Sequence, residues 1–368
     1  MKKIFTVLTS IALTFALSFS AAFANDDALM KSQNYLKTIT LDSPDAVIAY
    51  EATGMEADYK ADALLNNFKK TDYVTASYGD LAKSIIAISL LGENPKDFNK
   101  TNLVEILENR VQEDGTLTND VNGGCGATIW TLMALETVNS PKVKAVADKL
   151  STMAMDNGAY WYEYKGPNAD LDTTGWAMEA LSVAGRSTYK AAISKAYTFV
   201  QSKLNSTDGY YDNWGGNADT QSCVLEGLSV AGYTLDTNAY NYLLSYQNED
   251  GTFNALNYST GQLEPNAYAS VEGARALGVI NNGSFVLKAR QDYTKTTTPV
   301  VTEPETPTKP TKPSTTTPAV KPETTTTEPK KETVKVVNTG DNTNVMAYVV
   351  AAIAAVGVIV LVIKSKKK

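Results

Sequence analysis

A repeated pattern in the middle of the chain constrains its fold more than any other sequence feature. Each copy is a turn rich in Asp, Asn and Gly, followed by an apolar segment of small residues that ends in Leu and often in Gly. The clearest copies start at Asp172 and Asp219, and weaker copies precede three further leucines. The copies recur roughly every 45–49 residues, a spacing typical of repeat proteins. The repeat leucines are Leu90, Leu135, Leu181, Leu228 and Leu277.

Two kinds of helix alternate within this repeat. Residues 176–184 are apolar on nearly every side, which predicts a helix that is buried all round. Residues 189–204 place Ile193 and Val200 at helical spacing opposite several lysines, which predicts a half-exposed helix. With an early copy near residues 49–54, about six helix pairs are present, enough to close a ring. The sequence therefore predicts an all-α toroid of about six pairs, with the apolar helices inside.

The two ends of the chain predict secretion and membrane anchoring. Residues 1–24 have the charged start, apolar stretch and small-residue cleavage site of a signal peptide. Residues 294–337 are mostly Thr, Pro, Lys, Glu and Val, a composition typical of an extended stalk. Residues 345–363 are apolar and long enough for one transmembrane helix, and the lysines after them favour a cytoplasmic C-terminus. We expect a folded domain over residues 25–293, on the extracellular side of the membrane or in the cell wall.

Residues 338–368 also resemble the sorting signal of Gram-positive surface proteins. Sortase substrates carry Leu-Pro-x-Thr-Gly before an apolar span and a basic tail, and this chain has Thr339 and Gly340 in the matching positions. The Leu-Pro pair is replaced by Val336 and Val337. The resemblance implies a sortase as a partner, with cleavage between Thr339 and Gly340. If the segment is not cleaved, the helix serves as the anchor.

Composition excludes several classes of function. The whole chain has a net charge of −7 although its two ends are rich in lysine, so the folded part is more acidic still, which argues against nucleic acid as a partner. The chain has no histidine, which excludes histidine general bases and histidine metal ligands. We therefore expect neither a metal nor a cofactor. The two cysteines, Cys125 and Cys223, could pair in an oxidising compartment, but their different phases in the repeat favour buried thiols.

The repeat resembles the α/α-toroid superfamily. The resemblance rests on the paired helices, on the Asp-Thr helix starts, and on two Gln-and-Gly turns, at residues 112–117 and 247–253. The superfamily includes terpenoid cyclases, protein prenyltransferase β subunits, complement-type thioester domains and cobalamin carriers, and the turns are similar to the repeat motif of squalene cyclases. The resemblance spans residues 30–290 and implies the toroidal fold. It does not by itself imply a function, because these families share the scaffold and not the chemistry.

Two of these chemistries do not fit the residues present. Protein prenyltransferases bind zinc through Asp, Cys and His, and such a site cannot form without histidine. Thioester domains carry Gly-Cys-Gly-Glu-Gln, whereas this chain has residues 124–128 as Gly-Cys-Gly-Ala-Thr. Thr128 replaces the glutamine that would supply the acyl group, so no thioester can form. Small residues such as Gly126 are instead expected to let the start of this helix pack closely.

The chemistry of a third family, the class II terpenoid cyclases, leaves two possible roles for the carboxyl group of Asp172. Class II terpenoid cyclases protonate their substrate with the middle carboxyl of Asp-x-Asp-Asp, and Asp170 and Asp172 resemble the first two acids of that motif. Thr173 replaces the last acid. The resemblance implies that Asp172 is a general acid, which requires burial and a raised pKa. The alternative is that Asp172 and Asp219 are helix N-caps that accept backbone N–H groups.

Aromatic residues cluster in two loops of the repeat, and Trp130 and Trp176 share one phase of it. If these loops surround the mouth of the toroid, they form an acidic, aromatic pocket suited to a glycan, a basic peptide or a flat heterocycle such as a corrinoid. Non-catalytic binding of an extracellular ligand is therefore the favoured function. The alternatives are a cyclase-like or hydrolytic enzyme using Asp172, and an adhesin that binds through its outer face. The candidate ligand-binding residues are Trp161, Tyr162, Glu163, Trp176, Tyr211, Trp214 and Asp219.

Overall fold

A computed structural model describes residues 26–56, 62–120, 123–162, 168–211 and 216–297. The predicted signal peptide, sorting signal and transmembrane helix, and nearly all of the stalk, lie outside these ranges. Candidate residues Glu163, Trp214, Thr339 and Gly340 also lie outside them. Among the described residues, no helix combines the length and the hydropathy that crossing a bilayer requires.

The described chain is mostly helical, which confirms the all-α class. The helices are α1 (Asp26–Leu36), α2 (Pro44–Ala52), α3 (Asp62–Lys70), α4 (Tyr78–Leu90), α5 (Leu103–Asn109), α6 (Cys125–Thr137), α7 (Val143–Thr152), α8 (Leu171–Gly185), α9 (Lys190–Gln201), α10 (Ala218–Ala231), α11 (Thr237–Ser245), α12 (Ala267–Asn282) and α13 (Phe285–Thr297). Two short antiparallel hairpins join β1 (Leu204–Asn205) to β2 (Gly209–Tyr210) and β3 (Phe253–Asn257) to β4 (Gln262–Asn266).

Six helices supply most of the buried core, and we call them the inner helices: α2, α4, α6, α8, α10 and α12. Each packs against the next one along the chain, and α12 packs against α2, so the contacts form a closed cycle. Most of the other helices pack outside this cycle. For example, α7 lies against α6 and α8, while α9 lies against α8 and α10. Apolar residues on every side suit the inner helices, because each has neighbours all round.

The inner helices run parallel and in register. Residues at the same phase of the repeat are in contact: the aromatic rings of Trp130 and Trp176 are 5.7 Å apart, and Arg275 contacts Glu226. All six helices therefore begin at the same end of the cycle, which we call the mouth. Polar residues cap several of these starts, as where the Asn266 side chain accepts the N–H of Ala269.

The two ends of the repeat region close the cycle on each other. In the last repeat, the Gln247 amide donates to the Ala28 carbonyl oxygen of α1 at 2.9 Å. At the end of α12, the Asn282 amide donates to the Ala52 carbonyl oxygen at 2.9 Å. These contacts join parts of the chain more than two hundred residues apart, so the cycle depends on the complete set of repeats.

Helix α13 covers the ends of the inner helices that lie away from the mouth. It packs mainly against α4 and α6. Arg290 binds Glu136 near the end of α6 at 2.6 Å, and Lys288 binds Glu51 near the end of α2 at 2.5 Å. The helix continues to Thr297, so the predicted boundary between domain and stalk at residue 294 falls inside α13. Near the end of α13, threonine hydroxyls donate to carbonyl oxygens four residues back, as Thr297 does to Tyr293.

Candidate ligand-binding site

The register of the inner helices places polar residues in three layers. On an inner helix, the residues of the three layers are separated by four and then three positions, so they face one side of that helix. The same positions, counted back from the repeat leucine, recur on the neighbouring inner helices. The mouth layer holds Asp172, Asp219 and Tyr268. The middle layer holds Trp130, Trp176, Cys223 and Glu272, and the floor layer holds Glu179, Glu226 and Arg275.

Asp172 lies inside helix α8 and not at its cap, so the N-cap prediction for this residue is wrong. The cap is Asp170, whose side chain accepts the N–H of Thr173 at 2.6 Å. Asp170 is held in an extended conformation because its N–H donates to the carbonyl oxygen of Tyr160 at 2.9 Å, so the helix begins at Leu171. The N-cap prediction for Asp219 is wrong for the same reason: Asn217 caps α10 by accepting the N–H of Thr220.

The Asp172 carboxyl group is enclosed, although the residue keeps some access to solvent. Its Oδ1 atom is buried and has no hydrogen-bond partner among the described residues. Burial raises its pKa well above the usual value, and the nearby Asp170, Glu272 and Asp219 carboxyl groups raise it further, while a hydrogen bond with Thr220 acts in the opposite direction. The surroundings of Asp172 therefore favour the neutral form of its carboxyl group over the charged form.

Asp219 occupies the equivalent place on α10. Its Oδ1 atom is likewise buried, with no hydrogen-bond partner in the described part of the chain. Burial raises the pKa of Asp219 to about 6, against the lowering effect of the Arg275 guanidinium. Asp172 and Asp219 therefore both lie at the mouth, on neighbouring helices, and burial raises the pKa of each carboxyl group.

Glu272 adds a third carboxyl group just below the mouth. Burial raises its pKa to about 7, although Arg275, Tyr268 and Lys83 all act to lower it. The Cys223 thiol donates to Glu272 Oε2 at 3.7 Å. Because this carboxyl group is poised between its two charge states near neutral pH, it can exchange a proton with a neighbour at little cost.

The floor layer is a buried ion pair with the carboxyl group of Glu179 beside it. Arg275 Nε lies 3.1 and 3.0 Å from the two carboxylate oxygens of Glu226. Burial and the Glu226 charge raise the pKa of Glu179 well above its usual range, and Glu179 accepts a hydrogen bond from Ser284 at 3.1 Å. Arg275 Nη2 lies 3.7 Å from Glu272 Oε1 and has no hydrogen-bond partner among the residues described. That nitrogen therefore points from the floor toward the carboxyl cluster.

An aromatic column lines the other side of the site. The ring centroids of Tyr162 and Trp176 are 6.1 Å apart, those of Trp176 and Trp130 are 5.7 Å apart, and Phe285 of α13 stacks on Trp130 at 6.3 Å. The Lys83 ammonium lies 4.6 Å from the centre of the Trp130 ring. The column runs from Tyr162 at the mouth to Phe285 of α13, beside the carboxyl groups.

The loop before α8 folds over the start of α6. The N–H groups of Cys125 and Gly126 donate to the carbonyl oxygens of Trp161 and Tyr162 at 2.8 and 3.1 Å. The Tyr162 ring lies directly over Gly126, where a Cβ atom would come within 2.6 Å of the ring. This confirms that small residues at this helix start allow close packing.

The structure brings together Asp170, Asp172, Asp219, Tyr162 and Trp176 of the predicted site. Trp161 is half-buried and contributes its backbone oxygen, while Tyr211 is exposed directly after strand β2. Sequence reasoning missed Tyr268, Glu272, Glu179, Glu226 and Arg275. A signal was present for Tyr268 and Glu272, because each occupies a repeat phase marked by an aspartate or tryptophan in neighbouring copies. Glu179, Glu226 and Arg275 share a different phase, where the charged residues themselves recur in three successive copies.

The described ranges contain no group of three or more His, Cys, Asp or Glu side chains arranged to hold a metal ion. Cys125 and Cys223, both described, are free buried thiols, as the repeat phases favoured. The site therefore offers carboxyl groups, indole N–H groups and aromatic faces as its chemistry.

No protein-family model and no curated protein matches this chain. Among solved structures, one described as "Crystal structure of a protein from Actinoplanes" is similar, with 12% sequence identity and a TM-score of 0.47. The alignment covers 70% of this chain and 99% of that one. A likeness at this level carries no argument about function.

Proposed function

We propose that this protein is a non-catalytic ligand-binding module that holds an extracellular ligand at the mouth. One observation carries the proposal: Asp172 and Asp219 each have an enclosed Oδ1 atom with no hydrogen-bond partner in the described part of the chain, yet both residues keep some access to solvent. An enclosed polar atom without a partner costs about 1–3 kcal/mol. A ligand that reaches the mouth can supply the missing hydrogen bonds.

The proposal includes the toroidal fold and the cell-surface location. The closed cycle of contacts among six parallel inner helices supports an α/α toroid of about six pairs. Loops that surround a rigid scaffold are a common place for recognition residues. The signal peptide, stalk and anchor expected from the sequence would carry this domain outside a Gram-positive cell, with its C-terminus in the membrane or joined to the wall by a sortase.

Acid catalysis by Asp172 is a second candidate, favoured by the raised pKa of this carboxyl group. A terpenoid cyclase also needs an apolar cavity that lets a carbocation survive. Here the Asp219 and Glu272 carboxyl groups and the Cys223 thiol lie beside the acid, and each is a nucleophile that would trap such a cation. The geometry therefore supports binding better than cyclisation.

Native mass spectrometry of the full-length protein, purified in detergent from its source organism, tests the binding function. We expect wild-type protein to retain an additional mass and Asp172→Asn/Asp219→Asn protein to lose it. Asp97→Asn is the matched control, because Asp97 is exposed in a loop beyond the end of α4 that lies away from the mouth. An additional mass retained equally by all three proteins would place binding elsewhere, with the outer face as the next candidate.

The catalytic candidate has its own test. Wild-type protein incubated with an isoprenoid such as squalene is expected to leave it unchanged. Turnover that the Asp172→Asn variant abolishes would replace the binding proposal with the catalytic one.

A further inference from the structure

We propose that the ligand is a carbohydrate, with its hydroxyl groups bonded to the mouth aspartates and to indole N–H groups and its ring packed on aromatic side chains. This inference rests on the binding function proposed above and narrows its ligand class. The ligand class follows from the polar atoms that lack hydrogen-bond partners, from the pairing of the cations beside the site, and from the order of residues around the mouth.

Both hydrogen-bond donors and hydrogen-bond acceptors lack partners within the described part of the site. The acceptors are the Oδ1 atoms of Asp172 and Asp219, and the donors are the Nε1 atoms of Trp130 and Trp176. The two tryptophans are only 2% and 7% exposed, so water cannot freely satisfy their N–H groups. An ammonium group would satisfy only the acceptors, and a carboxylate or phosphate only the donors. A hydroxyl group both donates and accepts, so a polyol can bond to both kinds of group.

The cations beside the site are already paired, which disfavours an anionic ligand. Arg275 pairs with Glu226 on the floor. Lys83 Nζ lies 2.8 Å from Asp45 Oδ1 and above the Trp130 ring. An anion at the mouth would therefore meet paired cations together with the Asp219 and Glu272 carboxyl groups.

The order of residues around the mouth matches the two kinds of surface that a sugar presents. On successive inner helices the mouth holds Tyr162 over Gly126, then Asp172, then Asp219, then Tyr268. The two tyrosines at the ends of this arc are 45% and 54% exposed. A pyranose ring has apolar C–H faces that pack on aromatic rings and an equatorial rim of hydroxyl groups that bonds to carboxyl oxygens. The arc offers both, with the acids between the aromatics.

A glycan array, followed by calorimetric titration of the full-length protein in detergent with free oligosaccharides, tests this inference. The probes are chitotetraose, cellotetraose and maltotetraose, with choline and cadaverine as cations and citrate as an anion. We expect saturable binding of at least one neutral oligosaccharide and none of the cations or citrate. Binding should also quench tryptophan fluorescence, because Trp176 lies in the site.

Variants connect that binding to the proposed contacts. We expect Asp219→Asn and Trp176→Phe each to weaken oligosaccharide binding by about tenfold, the effect of one lost hydrogen bond. Phe keeps the aromatic packing of Trp176, so this variant is expected to fold. Tyr268→Ala should also weaken binding, and since Tyr268 is exposed this variant does not depend on core packing. Tyr258→Ala, at an exposed position on the β3–β4 turn, is the matched control and should bind as wild type does.

The outcomes separate this inference from the binding function. Binding of choline, cadaverine or citrate without any glycan would overturn the carbohydrate assignment and leave the binding function in place. A glycan that binds equally well to Asp219→Asn, Trp176→Phe and Tyr268→Ala would overturn the assigned site. If no glycan, cation or anion binds and native mass spectrometry finds no retained mass, both proposals fail.

Discussion

Gly126 makes room for the Tyr162 ring at the mouth. A Cβ atom at this position would lie 2.6 Å from two ring atoms, well inside van der Waals contact. We therefore expect Gly126→Ala to displace the tyrosine and to lower the free energy of unfolding by about 1–3 kcal/mol. Urea unfolding followed by circular dichroism measures the change.

A double-mutant cycle shows whether the clash with Tyr162 is the cause. If it is, Gly126→Ala should cost much less in a Tyr162→Ala background, where no ring occupies the space. Costs that simply add in the double variant would mean that the glycine is required for some other reason, such as backbone freedom.

The carboxyl groups show what the sequence could and could not predict about single residues. Asp170 and Asp172 are two positions apart, and either could cap a helix. The backbone contact between Asp170 and Tyr160 decides that the helix begins at Leu171. That contact joins residues across a loop, so no local pattern reveals it. Glu272 could have been found, because it shares its repeat phase with Trp130 and Trp176.

At the scale of helices and turns, Gly251 connects the last repeat to the first. It has a φ of +84°, and a Cβ atom here would lie 2.1 Å from the Lys31 carbonyl oxygen of α1. Gly261 has a similar φ of +70°, with no atom of the described residues within 4 Å of its Cβ position. Both substitutions to alanine carry the left-handed backbone strain of about 1–2 kcal/mol. Only Gly251→Ala also pushes α1 away.

Thermal and urea unfolding of these two variants test how the cycle closes. We expect Gly261→Ala to cost about 1 kcal/mol and Gly251→Ala to cost at least about 2 kcal/mol more, because the neighbouring backbone atom cannot move aside as a flexible side chain can. Equal costs would show that contact between the last turn and α1 contributes little to stability.

The helices themselves were largely predictable, because each inner helix is an apolar stretch with a fixed period. Helix α13 was not predicted as a separate element, since residues 285–297 lie outside the repeat and lead into the Thr-rich segment. Its place depends on ion pairs with Glu51 and Glu136, which are distant in sequence. The β3–β4 hairpin was also missed, because its strands interrupt the helical repeat with a local insertion.

The molecule as a whole should become less stable as the pH rises through neutrality. Asp219 and Glu272 have folded-state pKa values of about 6 and 7, above their unfolded values, so the folded protein binds more protons than the unfolded chain in this range. The free energy of unfolding should therefore fall from pH 5 to pH 8, by roughly 4 kcal/mol. Urea titrations at the two pH values measure it, and a stability that rises over this range would contradict the assigned pKa shifts.

The stability of the protein without added ligand tests most directly whether the mouth carboxyl groups serve a ligand. At pH 7.5 the ionised Asp219 is unfavourably enclosed, and asparagine removes that charge while keeping the shape. We predict that Asp172→Asn/Asp219→Asn protein has a higher free energy of unfolding than wild type, while Asp97→Asn protein is unchanged. A double variant that is less stable than wild type would show that these carboxyl groups hold the fold together, and would contradict the binding site proposed at the mouth.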